Sequence, residues 1–343
     1  MKFILGSEKT FSDYIDSIDE NDKIGILSHN DLDGMASVIF LEKILEAKGL
    51  KASFVDFLSF KIGMFSEPSE KMKKLGVAKV FLTDLNVDNS DFEGFEKFRE
   101  EFDVLLIDHH PINPKLKSHK NIIKTQGSDC IAYVMYNFGK DYFDVEDWDW
   151  LICPTMIEEF SFKNNKENLD FLKKKYSDVK DYDPFDSEPG RVSREISYAV
   201  KYFKDARKIY LLLKERDLEE IKKVSKLVDG EVNKFIEVYE KEAEFYKEKN
   251  IYFYYGHPKY DVGSIVATAL SKKLPSTIAF AAPSNDYMLR ISFRNNSGTA
   301  DVSALVKKGV EGLKNATGGG HAPAASAGIR KEDLEKFKEN ILN

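Results

Sequence analysis

Short apolar runs alternate with amphipathic stretches through the first half of the chain. Residues 23–28 (KIGILS), 51–57 (KASFVDF), 79–85 (KVFLTDL) and 102–108 (FDVLLID) read as strands. A helix is expected from about Met35 to Ala47, and NVDNSDFEGFEKFREE reads as another between the last two strands. Nearly unbroken apolar strands separated by helices belong to a parallel sheet covered on both faces. Such sheets bind ligands beyond the carboxyl ends of their strands. HNDLDG, TDLN and DHHP each come straight after an apolar run, so three strands aim their chemistry at one edge.

The middle of the chain changes character. Residues 161–190 are polar and contain DYDPFDSEPG, which reads as loop. Residues 191–249 place apolar side chains at helical spacing (Ile209, Leu212, Leu213; Val232, Phe235, Ile236, Tyr239) and read as two or three helices. Their lysines suit a solvated connector or the lining of a nucleic-acid groove. Alternation returns from residue 251. IYFYYG, STIAFAAP and YMLRISFR read as strands, GSIVATALSKKL and Val302–Lys314 as helices, and ATGGGHAPAASAG as a loop. The expected fold class is α/β. A parallel-sheet N-terminal domain spans 1–165, a helical connector 166–250 and a smaller α/β C-terminal domain 251–343.

A length of 343 residues fits two domains. The net charge of -7 argues against a sequence-independent duplex binder, which is normally basic. Contact with nucleic acid would then be local, with divalent cations offsetting nearby carboxylates. Cys130 and Cys153 do not make a disulfide framework and read as reduced core thiols. The N-terminal apolar run is too short for a signal peptide, and no stretch approaches the roughly 20 apolar residues that span a bilayer. A soluble, cytoplasmic protein without a membrane partner is expected.

The candidate chemistry sits at the strand ends. In His29-Asn-Asp31-Leu-Asp33-Gly34 two carboxylates and an imidazole can turn toward one centre, a donor set that suits Mn²⁺, Mg²⁺ or Zn²⁺. An Asp-rich turn with one helix cap would use the same residues. Asp84 follows VFLT, and Asp108-His109-His110 follows VLLI. Together these residues offer ligands for two ions. A pair about 3.5–4 Å apart clamps a phosphodiester, activates a water and stabilises the leaving oxygen. Asp84, between two ligand loops, is the natural bridge. Further along, Gly318, Gly319 and Gly320 let backbone N–H groups approach a phosphate, with His321 as an added donor. Arg290 and Arg294 share one strand face and suit bidentate phosphate binding. A flexible turn and solvated surface arginines are the plainer readings of these last residues.

In this order the motifs resemble the DHH/DHHA1 phosphoesterase superfamily. SHNDLDGMAS resembles its first motif, VFLTDLN the second and LLIDHHPIN the third, while RISFRNNSGTADVSALV with ATGGGHAPAASAG resembles the DHHA1 substrate domain. The resemblance covers nearly the whole chain. It implies a DHH domain joined to a DHHA1 domain, and two Mn²⁺ ions, with Mg²⁺ or Co²⁺ as alternatives. His29 and Asp31 would hold one ion, Asp33 and His109 the other, with Asp84 bridging. His110 would face the scissile phosphate, and Asp108 would support the histidines. Arg290, Arg294, His321 and the glycines would bind substrate phosphate. The fourth motif normally gives an aspartate after an apolar helix. Here WDWLICPTMIEEF stands there, with Glu159 aligning best, Glu158 beside it, and Asp147 or Asp149 as alternatives.

The H-x-D-x-D spacing and the DHHA1 domain resemble the RecJ-like exonuclease and oligoribonuclease branches more than the pyrophosphatases. The implied activity is two-metal hydrolysis of short or single-stranded RNA or DNA, by a chain that can pair as a homodimer. Cleavage of a linear or cyclic dinucleotide is one alternative. A catalytically silent scaffold in a replication or repair complex is another.

Overall fold

A computed structural model of the chain describes residues 2–163 and 165–343. The chain divides into two compact units that meet between Lys222 and Lys223. The first contains β1 (Phe3–Leu5), α1 (Glu8–Asp16), β2 (Ile24–His29), α2 (Leu32–Ala47), β3 (Ala52–Leu58), α3 (Ser66–Leu75), β4 (Lys79–Thr83), α4 (Val87–Ser90), α5 (Phe92–Glu101), β5 (Asp103–Asp108) and β6 (Ile122–Thr125). Four helices follow: α6 (Ile131–Gly139), α7 (Asp149–Glu158), α8 (Lys166–Lys175) and α9 (Glu188–Phe203), then α10 (Ala206–Lys214). Helix α11 (Leu218–Glu242) carries the boundary. The second unit adds β7 (Glu244–Tyr246), β8 (Ile251–Tyr255), α12 (Gly263–Lys273), β9 (Thr277–Pro283), β10 (Met288–Arg294), α13 (Val302–Gly309), β11 (Thr317–His321), β12 (Ala324–Arg330) and α14 (Leu334–Leu342).

The first sheet has the order β1-β6-β5-β4-β2-β3. Strands β2 to β6 are parallel, and β1 closes the edge antiparallel to β6. Side chains on both faces are buried. Leu27, Leu82 and Leu106 pack with Met72, Phe95 and Phe98 of α3 and α5, while α2 lies on the sheet and against α6. This double burial is why the strands read as continuous apolar runs. From β2 the chain steps outward to β3, then crosses back to lay β4 on the other side of β2. The strand order reverses there, and a crevice opens at the carboxyl ends of β2 and β4. His29 ends β2, Asp84 follows β4, and Asp108 ends β5.

Local chemistry fixes the first ligand loop. Asp31 is the N-cap of α2, and its Oδ1 accepts the Gly34 N–H at 3.0 Å. The helix therefore starts at Leu32, ahead of the expected Met35. A Cβ on Gly34 would lie 2.1 Å from the His29 carbonyl oxygen, so only glycine lets the helix begin this close to the strand.

Two stretches hold more regular structure than expected, and a third holds what was expected. Residues 161–190 are not all loop. Asn165 caps α8, whose Leu172 is buried on one face, and Ser187 with Pro189 starts α9. The sequence reading did not place β1 and β6, which are short; β1 forms the sheet edge and β6 lies next to it. The two or three helices expected over 191–249 are α9, α10 and α11, with β7 after them.

In the second unit the sheet order is β11-β12-β10-β9-β8-β7. Strands β8 and β9 are parallel, and α12 lies between them in sequence; the remaining pairs are antiparallel. Leu289, Ile291 and Phe293 pack with Val302, Val306, Phe337 and Ile341. Arg290, Ser292 and Arg294 alternate with them and face the other way. The expected loop ATGGGHAPAASAG is a hairpin, with Thr317 opposite Gly328 and Gly319 opposite Ser326. Two of its glycines serve close packing: a Cβ on Gly318 would lie 2.8 Å from the Val306 Cγ1, and one on Gly320 2.5 Å from the Ala324 carbonyl oxygen. Helix α13 ends at Gly309, short of the expected Lys314.

Candidate metal centre

Polar atoms from four segments converge beyond the carboxyl ends of β2, β4 and β5. His29 Nδ1 lies 2.5 Å from Asp31 Oδ2 and 3.7 Å from Asp84 Oδ2. His109 Nε2 lies 3.2 Å from Asp84 Oδ1. Three triads have ligand atoms within 4.8 Å of one another: His29, Asp31 and Asp84; Asp84, His109 and His110; Asp33, His109 and Glu159. Asp84 and His109 each belong to two of them. The backbone presents Asp84 unusually, at φ 55, a region that Asp tolerates better than most residues. Its N–H is held by the Ile107 carbonyl at 2.9 Å.

Asp33 is fully buried, and α6 holds it. Its Oδ2 accepts the Ile131 N–H at 2.8 Å, and its Oδ1 accepts the Ala132 N–H at 2.7 Å and the Cys130 thiol at 3.0 Å. A carboxylate is favoured at a helix N-terminus. Glu159 ends α7 as its C-cap. Glu158 is close by and half-buried, and its Oε2 is shielded without a hydrogen-bond partner. Asp149 is engaged elsewhere, accepting the Tyr136 hydroxyl at 2.8 Å and pairing with Lys175 at 2.8 Å.

Behind the histidines stands a buried ion cluster. Asp108 Oδ1 meets His110 Nδ1 at 2.8 Å. Its Oδ2 is held by the ammonium of Lys124, which is fully buried on β6 directly opposite Asp108. Lys124 also pairs with Asp88 at 2.8 Å and donates to the His110 carbonyl at 3.3 Å. Burial opposes the Asp108 charge, but the His110 hydrogen bond and the Lys124 ammonium outweigh it and hold the carboxyl down at about 2. On the other side, the Phe60 ring stacks on His29 at 4.1 Å and 7° and meets His110 edge-on at 5.3 Å. Sequence reasoning singled out none of Lys124, Asp88 and Phe60. A lysine inside the apolar run NIIKT was the one available signal. In the second unit, Arg290, Arg294, Gly319 and Gly320 line a cleft of about 270 Å³. Gly318 lines a neighbouring cleft with Arg290 and Gly319. His321 is exposed at the end of β11 and lines neither.

The donor set fits divalent cations. His109 Nδ1 and Asp84 Oδ2 are buried without a hydrogen-bond partner. Carboxylates crowd together with too little positive charge between them. Burial, then repulsion from Asp84, pushes Asp33 up to about 7, and burial, then Asp33 and Asp31, pushes Glu159 up to about 8. Burial and Asp31 raise Asp84 as well. Burial opposes charge on His29 and His109, yet the adjoining carboxylates raise both to about 10. Oxygen and imidazole ligands of this kind suit Mn²⁺ or Mg²⁺.

A pH dependence follows. The raised acids contribute stability that is full below their ordinary pKa near 4 and is lost as pH rises through about 7 to 8. Metal-free protein should therefore lose stability across that window. Metal must displace the same protons, so Mn²⁺ should bind more tightly as pH rises and release protons on binding. Calorimetry in two buffers of different ionisation enthalpy counts those protons, and a zero count at pH 7 would refute this.

The sequence matches the profile of the DHH family N-terminal domain over residues 23–153 and that of the DHHA1 domain over residues 251–343. The chain belongs to the DHH/DHHA1 family. Solved structures share its fold. RecJ from Thermus thermophilus in complex with Mn²⁺ matches at TM-score 0.68 and 14% identity, over 98% of this chain and 54% of that one. The chain thus spans about half the length of that RecJ. The DHH domain of a member of the s1p family of ribosomal proteins matches at 0.66 and 16%, over 98% and 90%. CDC45 from Entamoeba histolytica matches at 0.57 and 11%, over 98% and 97%. Comparison with curated proteins gives no sequence match. No helix among the described residues is long and apolar enough to cross a membrane.

Proposed function

We propose that the chain is a metal-dependent phosphodiesterase that hydrolyses short or single-stranded nucleic acid. The observation that carries this reading is the set of three ligand triads linked through Asp84 and His109, at the switch point of the sheet. His29, Asp31 and Asp84 would hold one ion, and Asp33, His109 and Glu159 the other, Mn²⁺ being the ion expected. Two such ions supply an activated water and neutralise charge on the phosphate. The chain's own groups do the rest. His110 is tied through Nδ1 to Asp108, which leaves Nε2 to hydrogen-bond a phosphate oxygen or to give a proton to the leaving oxygen. Arg294 and the glycine edge of β11 offer a phosphate cleft in the second unit. Domain limits of 1–165 and 251–343 flanking a helical connector belong to the same proposal.

The test is release of mononucleotide from an end-labelled five-residue RNA by Mn²⁺-loaded protein. Steady release supports the reading; intact RNA and intact single-stranded DNA would overturn it. A silent scaffold is the second reading. Glu159 in place of an aspartate favours it, as do the three hydrogen bonds that already engage Asp33. Purified protein that takes up no Mn²⁺ would support the scaffold.

A further inference from the structure

Helix α7 ends in a backbone arrangement that usually calls for glycine. The Phe160 N–H bonds the Ile157 carbonyl at 3.1 Å, and the Ser161 N–H bonds the Met156 carbonyl at 3.0 Å. This is the Schellman pattern, whose residue after the cap takes a left-handed conformation. That residue is Phe160, at φ 53. A bulky side chain there is strained, and such strain persists only where neighbouring structure imposes it. Ser161 supplies the imposition: it is buried, its hydroxyl donates to the Met156 carbonyl at 3.0 Å, and its own carbonyl accepts from Asn168 at 3.0 Å.

The ring gained at this strained position is not spent on the core. Phe160 is 53% exposed. It meets Phe185 at 5.1 Å and Phe162 at 6.2 Å, and Phe162 meets Phe185 at 6.1 Å, both of them only half-buried. Three aromatic rings thus form a surface patch. The residue before Phe160 in the chain is Glu159, a member of a ligand triad. The patch therefore begins one residue from the candidate metal centre, within the first unit.

We infer that Phe160, backed by Phe162 and Phe185, is a stacking platform for one nucleobase of a single-stranded substrate, next to the phosphate that is cut. The inference rests on the phosphodiesterase reading and adds a base subsite to it. A phosphodiester held at the metal centre carries a sugar and base on either side within a few ångströms. An exposed aromatic face stacks on any base, so the platform grips without reading sequence. Stacking needs no basic surface, which suits a chain of net charge -7.

The strain makes the test clean. Phe160→Gly relieves the left-handed residue while removing the ring, so its melting temperature should stay within about 2 °C of wild type or rise. With Mn²⁺-loaded protein, kcat/KM on a five-residue RNA should fall roughly 5- to 150-fold, the worth of one stacked base. Wild type should show the same loss when one abasic residue, moved along the five positions, reaches the stacked site. Phe160→Gly should be indifferent to that abasic residue. Phe160→Trp should keep the wild-type rate, and oligonucleotide binding should quench the new tryptophan's fluorescence. Wild-type rates in Phe160→Gly, or an abasic penalty that persists in it, would overturn the inference while leaving the phosphodiesterase reading intact. A wild type that cleaves no oligonucleotide would remove both.

Discussion

Asp84→Asn should reduce Mn²⁺-dependent hydrolysis by about 10³-fold or more, with the fold intact. Asp84 belongs to the triad with His29 and Asp31 and also to a triad with His109, a ligand of the proposed second ion, so it stands between the two positions and its loss would weaken both. Several kcal/mol of charge stabilisation are at stake, and each 1.36 kcal/mol is tenfold in rate. Asparagine is the informative replacement. It tolerates the left-handed backbone at φ 55, which alanine would strain, and it keeps the size of the side chain. Metal-free Asp84→Asn should even melt higher than metal-free wild type, because the cost of burying the Asp84 charge and its repulsion from Asp31 are gone. Added Mn²⁺ should then raise the melting temperature of wild type but hardly that of the variant. Melting curves in chelator and in Mn²⁺, run beside the RNA assay, read all of this. Activity within tenfold of wild type would show that Asp84 does not bridge two ions.

Lys124→Met should cost about 3–5 kcal/mol of stability, because Asp88 and Asp108 would stay buried without their cation. For a unit of this size that lowers the melting temperature by roughly 10 °C. The sign of the pH dependence is diagnostic. In wild type Asp108 is held down at about 2, so its contribution is present above its ordinary pKa near 4 and is lost only as pH falls toward 2. In the variant the aspartates are stranded and protonate more readily, so the gap to wild type should shrink as pH falls from 7 to 4. Neutralising both aspartates together with Lys124 should recover much of the loss, since a whole buried cluster replaced by neutral groups is tolerated. Equilibrium unfolding in urea at several pH values gives the comparison. A constant gap would mean that Lys124 contributes by packing alone.

Much of this was legible in the sequence because strands buried on both faces announce themselves. IGIL, VFL and VLLI end at His29, Asp84 and Asp108, and the rule that ligands bind at carboxyl ends placed all three on one edge. Strand order was not legible. The juxtaposition of β2 and β4 at a reversal, which brings His29 to Asp84, depends on pairing between residues more than fifty positions apart. Long-range pairing also turned the glycine run into strand β11. Local propensity marks glycine as a turn former, but facing Ala327, Ser326 and Ala325 on β12 the run supplies an edge strand. Lys124 and Asp88 escaped because each looks ordinary alone; their burial comes from neighbouring elements meeting behind His110. Phe60 carried no periodic signal, since it lies in the loop after β3.

The ligand loops spring from strands whose register is set by backbone bonds and by side chains remote from the crevice. Gly34 and Asp31 fix the first loop, and the Ile107 carbonyl fixes Asp84. Ions that bind there would therefore meet a finished mould and not a folding partner. Chelation would empty such a mould without collapsing it, and refilling it would require no rearrangement of the chain. Which cation it carries would then follow from the supply around it and be exchangeable throughout the protein's lifetime.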